Sequence, residues 1–130
     1  MGTPIDECIS GWLRSHTCGV VTPHIHPRRI PKVKARDATT LAIITNATPI
    51  VSEPTYGDGA EITHFDITVD VFSNDADKLT AGVDAVLTDL NGARNLCGLQ
   101  GTWLENVTDI TFEDPLFRYR KRLTFRGAIQ

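Results

Sequence analysis

The chain has 130 residues, of which 41% are hydrophobic and 22% charged, and a net charge of −3; that length supports one domain with one modest core. Its longest strongly apolar stretch, Leu41 to Ile44, is far too short to span a bilayer. The opening segment Met1 to Glu7 carries two acids and no base, which argues against a secretory leader.

Three cysteines, Cys8, Cys18 and Cys97, are odd in number and irregularly spaced. They are expected to be buried or idle thiols in a reducing compartment.

Thr3 is a suitable N-cap with Pro4 in the first helical position. Ile5, Cys8, Ile9, Trp12 and Leu13 then recur at helical spacing, which predicts a helix over 3–16. Prolines at 23, 27 and 31 and a basic cluster predict an extended, exposed arm over 19–37. β-Branched residues predict a strand over 39–46, and Pro49, Pro54 and the turn residues Gly57 to Gly59 a long loop over 47–60.

The clearest strand is 61–73. Phe65, Ile67, Val69 and Val71 alternate with His64, Asp66, Thr68 and Asp70, the period of a sheet with one buried face. Asn74 or Asp75 caps a helix over 75–91, whose stripe of Ala76, Leu79, Val83, Val86, Leu87 and Leu90 must cover the sheet. Two further strands are expected over 102–113 and 116–128, forming a hairpin through Asp114 and Pro115. In the last strand Phe117, Tyr119, Leu123 and Phe125 alternate with arginines, and Lys121 falls on the apolar side. The expected fold is therefore α+β: a small single domain with a mostly antiparallel four-stranded sheet, a covering helix, an N-terminal helix and long extended loops.

No nucleophile motif or phosphate-cradling glycine loop is present. Cys18, His24 and His26 are the best metal candidates, but their spacing matches no zinc module. Asp66 and Asp70 share a strand face and are expected to meet arginines of the last strand rather than to act as a catalytic pair. The expectation is thus no enzyme, no catalytic, cofactor-binding or metal residues and no cofactor. Charge is unevenly distributed. Residues 19–37 hold five bases against one acid (+4), 38–117 thirteen acids against two bases (−11), and 118–130 five bases and no acid (+5). Such asymmetry suits docking onto copies of itself or onto charged partners. The basic arm lacks interleaved aromatics, which argues against a dedicated nucleic-acid binder.

Taken in order, several segments carry a resemblance. They are the N-terminal helix, the stretch Pro23 to Pro27, the strand Thr39 to Asn46, and the strand Phe65 to Phe72 running into the Asp75 to Leu90 helix. Leu104 to Asn106 and the closing strand Phe117 to Phe125 complete the set. Together they resemble the tail-completion and tail-terminator protein family of long-tailed bacteriophages, over essentially the whole chain. The resemblance implies a late structural virion protein made in the host cytoplasm. It would form a homohexameric ring at the head-proximal end of the tail and join it to the head connector or stopper. The tail tube protein is a second implied partner, DNA passes through the lumen, and no membrane is involved. The alternative is another morphogenesis component, such as a head-side stopper or a tail tube protein. The basic stretch departs from the family pattern and makes Arg28, Arg29, Lys32, Lys34 and Arg36 candidate partner contacts, with subunits meeting through their extended segments.

Overall fold

The computed structural model describes residues 5–28, 41–54, 61–109 and 119–129. In chain order the elements are α1 (Ile5–Arg14), α2 (Thr17–Val21), β1 (Ile25–Pro27), β2 (Ala42–Pro54), β3 (Glu61–Ser73), α3 (Ala76–Leu90), β4 (Arg94–Leu96), β5 (Leu99–Asp109) and β6 (Tyr119–Ile129). The strands form one mixed sheet in the order β1-β2-β3-β6-β5-β4. Six strands replace the expected four, because short edge strands are added at both sides.

β1 is the first addition. It pairs parallel to β2, with Ile25 opposite Ile43. Prolines made this segment read as an arm, but an edge strand tolerates Pro, and Pro27 ends it. Residues 17–21 likewise form a short helix rather than the start of an arm. β2 runs on to Pro54, where a loop from residue 47 is expected. Pro49 fits because β1 pairs only with residues 43–45 of β2; beyond them one side of β2 has no β1 partner. The register also shifts between Pro49 and Val51. The N-cap at Thr3 and the turn at Asp114 and Pro115 lie outside the described residues.

β3 occupies its predicted span and pairs antiparallel with both β2 and β6. Ile67, Val69 and Val71 face the core with Leu123 and Phe125 of β6, all essentially without exposure. β5 pairs antiparallel with β6. An irregularity between Leu104 and Asn106 inserts Glu105 and reverses the parity. Thr102 and Leu104 therefore stand opposite Gly127 and Phe125, whereas beyond the bulge Val107 and Asp109 stand opposite Leu123 and Lys121.

α3 lies against β3, β6 and β5, and α1 against β1 and β2, all on one side of the sheet. Asp75 caps α3, its carboxylate accepting from the N–H groups of Asp77 and Lys78. Gly92, at φ 77°, follows the helix. Gly82 marks the closest approach to the sheet: a Cβ there would stand 2.9 Å from side-chain atoms of Leu41 and Val71. Leu79, Val83, Val86 and Leu90 are buried in the common core with Ile9 and Leu13 of α1. Leu87 and Trp12, expected in that core, pack at its edge and are only partly buried, and Ala76, at the first turn of α3, is exposed.

Polar contacts seat α1. The Thr45 hydroxyl donates to the Asp6 carbonyl at 2.8 Å and shares a hydrogen bond with Ser10. Arg14 donates to the Ile25 carbonyl through Nε and a terminal nitrogen (2.9 and 2.6 Å), and the Trp12 indole N–H donates to the Asp89 carbonyl. The buried Asp89 carboxylate accepts from the N–H groups of Thr17 and Cys18, tying the start of α2 to the end of α3.

The cysteines are not all idle thiols. Cys8 of α1 and Cys97, in the turn between β4 and β5, form a disulfide across 89 positions of sequence. Such a pairing is invisible to spacing alone. Cys18 is free and buried, and burial, followed by its hydrogen bond with Asp89, pushes its thiol pKa well up.

Two stability measurements test this packing. In urea unfolding, Leu90→Ala should cost about 2–5 kcal/mol and Leu87→Ala less than about 2, because only the first leaves a closed cavity. The Cys18 thiol ionises more readily in the unfolded chain than in the folded one. The stability it contributes is therefore fully present below the unfolded pKa and is lost as pH rises toward the folded value. Above about pH 9 stability should fall by up to roughly 1.4 kcal/mol per pH unit. Cys18→Ala should remove that component of the slope.

Candidate functional site

The face of the sheet turned away from the helices carries the charge. β3 supplies Asp66 and Asp70, β6 supplies Arg120, Arg122 and Arg126, and β5 supplies Trp103 and Glu105. Register brings them together, with Asp70 opposite Arg122 and Asp66 opposite Arg126. The Asp70 carboxylate, only 8% exposed as a residue, accepts from Arg122 through Nε (2.8 Å) and a terminal nitrogen (3.2 Å), and from Arg120 at 2.7 Å. Its hydrogen bonds raise the Arg122 pKa above the ordinary guanidinium value, against a smaller opposing effect of burial. Arg120 also lies over the Phe72 ring, 4.9 Å from its centroid.

Further along, Arg126 bridges Asp66 at 3.6 Å and Glu105 at 3.4 Å. Lys121, the apparent fault on the apolar side, reaches Asp109 at 3.7 Å. The two aspartates considered as a carboxylate pair thus meet arginines of the last strand. The same pairing bears on subunit contact: Asp66, Asp70 and Glu105 of this face are matched by arginines within the chain rather than left for a neighbour's bases.

Of the five candidate contact residues, Arg28 is described and the other four, Arg29, Lys32, Lys34 and Arg36, lie outside the described residues. Arg28 leaves β1 in the left-handed region at φ 67°, a conformation that costs a non-glycine residue roughly 1–2 kcal/mol. Its N–H donates to the Thr45 carbonyl at 2.8 Å. Its guanidinium holds Asp6 at 2.9 Å and Glu7 at 2.7 Å; the Glu7 hydrogen bond and the Asp6 charge raise its pKa. Arg28 therefore pins the start of α1 to the end of β1. Sequence reasoning had no signal for this, since the pair is separated by an entire helix and turn.

Among the described residues, no three of His, Cys, Asp or Glu gather in a group able to hold a metal ion. The candidate set of Cys18, His24 and His26 is accordingly not assembled: Cys18 is buried beside Asp89. No helix among the described residues is long and apolar enough to cross a membrane. Among the described residues, the exposed large apolar side chains are Val20 and Val21 on α2, Trp103 and Val107 on β5, and Tyr119 on β6, with Val20 88% exposed.

The architecture defines a small α+β domain with a six-stranded mixed sheet, helices over one face and paired charges over the other. No family model and no curated protein matches the chain. Solved structures do: it superposes with a TM-score of 0.61 on a chain from the virion of a native gene transfer agent (GTA) particle. The two are 14% identical, and the match covers 93% of this chain and 96% of that one. The chain therefore shares its fold with a component of that virion.

The outer face yields a graded expectation. Asp70→Asn leaves Arg120 and Arg122 adjacent without their counter-charge and should cost roughly 1–3 kcal/mol in denaturant unfolding. Asp66→Asn breaks a longer, more exposed contact and should cost less than about 1 kcal/mol.

Proposed function

We propose that this chain is a structural virion protein of a phage-like particle. In this reading it assembles as a homohexameric ring at the head-proximal end of the tail, joins the tail to the head connector and lets DNA pass through the lumen. The observation that carries the reading is the fold match to the GTA virion chain, which leaves almost nothing of either chain unaccounted for. A match of that extent relates the whole subunit rather than one shared motif. The sequence resemblance to tail-completion proteins supplies the finer position at the head-tail joint.

The geometry supports a role carried by shape and contact. The outer charges neutralise one another, and the described His, Cys, Asp and Glu residues make no metal-binding group. Since Arg28 is engaged with Asp6 and Glu7, contact with a neighbouring subunit, the connector or DNA falls to Arg29, Lys32, Lys34 and Arg36. Repetition of one such heterologous contact closes a ring.

Particles made without this chain should accumulate as DNA-filled heads and separate tails, seen by negative-stain microscopy and rejoined by supplying the chain. Quantitative mass spectrometry of purified particles should give about six copies per particle for a closed ring of this kind. A tail tube protein would be many-fold more abundant. Reversing Arg29, Lys32, Lys34 and Arg36 together to Glu should reproduce the unjoined phenotype. Joined particles at the normal yield without the chain, or purified particles that do not contain it, would overturn the reading. Normal joining by the charge-reversed variant would overturn the arm contact alone.

A further inference from the structure

We infer that the Cys8–Cys97 disulfide is a latch that closes on an already folded subunit after it leaves a reducing compartment. The compartment change rests on the virion reading above, in which the chain folds in a host cytoplasm and then travels in a released particle. Three observations carry the latch.

The bond joins parts of the sheet that are far apart in strand order. α1 packs on β1 and β2, whereas Cys97 sits in the turn between β4 and β5, at the opposite edge. A link of this kind restrains the curl of the sheet and closes most of the chain into a loop, which restricts the unfolded ensemble strongly.

The half-cystines are brought together by contacts that do not involve sulfur. Ile9 and Leu13 are fully buried. Thr45 holds the Asp6 carbonyl, Arg14 holds the Ile25 carbonyl, Trp12 holds the Asp89 carbonyl and Arg28 holds Asp6. On the other side, Leu96 and Leu99 are fully buried and pair with each other across the turn. These contacts seat both segments, so the fold itself presents the two thiols to each other.

The chain also sorts its thiols. Cys8 and Cys97 are partly exposed, within reach of a small-molecule disulfide. Cys18 is fully buried and hydrogen-bonded beside Asp89, which withholds it from exchange. The closing step is two thiol–disulfide exchanges. One cysteine thiolate attacks the small-molecule disulfide and releases one thiol. The other cysteine then attacks the mixed disulfide and releases the second. The protein thiol pair is oxidised, the small disulfide is reduced to two thiols, and two protons are accounted for in the thiols formed.

The full chain, produced in a bacterial cytoplasm, is quenched with acid and alkylated with N-ethylmaleimide under denaturing conditions. Mass spectrometry should then show all three cysteines alkylated. After the folded protein is incubated with oxidised glutathione, only Cys18 should be alkylated. The oxidised form should melt higher than the reduced form by roughly 10 °C. The double variant Cys8→Ser, Cys97→Ser should unfold cooperatively at the reduced protein's Tm and give no response to glutathione. A bond already complete in the cytoplasm, a reduced protein or double variant without cooperative unfolding, glutathione capture by Cys18, or equal melting temperatures would each overturn the latch. These measurements use the isolated chain, so they stand or fall separately from the particle experiments that test the virion reading.

Discussion

A sheet of six strands presents an apolar face wider than one helix can cover. A helix about 10 Å across spans two or three strands at a spacing of about 4.8 Å. α3 meets that demand over β3, β6 and β5, and the β1–β2 side must be covered by something else. α1 supplies the cover, with Ile9 and Leu13 against the sheet and the Thr45 hydroxyl holding its backbone. α1 also reaches the turn between β4 and β5, where Cys8 meets Cys97, so the sheet curls around the helices. The edge strands, the tether at Arg28 and the Asp89 link from α3 to α2 all follow from keeping that one face dry.

The opposite face solves a different problem. It carries three acids and three arginines on β3, β5 and β6, at positions that register sets opposite or beside one another. The pairs are unequal in worth. Asp70 sits under two guanidiniums and is nearly buried, so its charge is tied to theirs. Asp66 and Glu105 share the half-exposed Arg126 at longer distances, where solvent screening leaves little net gain. An assembly contact that used this face would have to preserve the Asp70 cluster.

The central strand and helix were legible because each obeys one period without interruption. β3 alternates along its whole length, and α3 runs from the Asp75 cap to Gly92 with one apolar stripe. The illegible parts break a local rule for a tertiary reason. Pro27 sits in a strand because that strand is an edge; Pro49 sits in β2 beyond the residues that pair with β1. Glu105 reverses the faces of β5 by a single inserted residue, which a fixed alternation cannot anticipate. The contacts of Arg28 with Asp6 and of Cys8 with Cys97 depend on how helices fold back over the sheet, information that no window of sequence contains. Of the charged surface, the meeting of Asp66 and Asp70 with final-strand arginines was legible, since alternation placed opposite signs on facing strands.

The likeness to the GTA virion chain at 14% identity separates what specifies the shape from what selects partners. A core of Ile, Leu, Val and Phe on one face can be repacked extensively while volume and pattern are kept, so a common shape needs few common residues. Contacts with neighbours depend instead on surface groups not already committed inside the subunit. Here Arg28, Arg120, Arg122 and Arg126 are committed, and changing them alters the fold's own ion pairs before it alters any interface. Among the described residues, groups outside these pairs include the exposed Asp77 and Asp84 of α3. Charge at such positions guides encounter and register more than it adds affinity. A ring built on them would therefore draw its persistence from closed symmetry and from the shape of the curled sheet, not from the strength of any single ion pair.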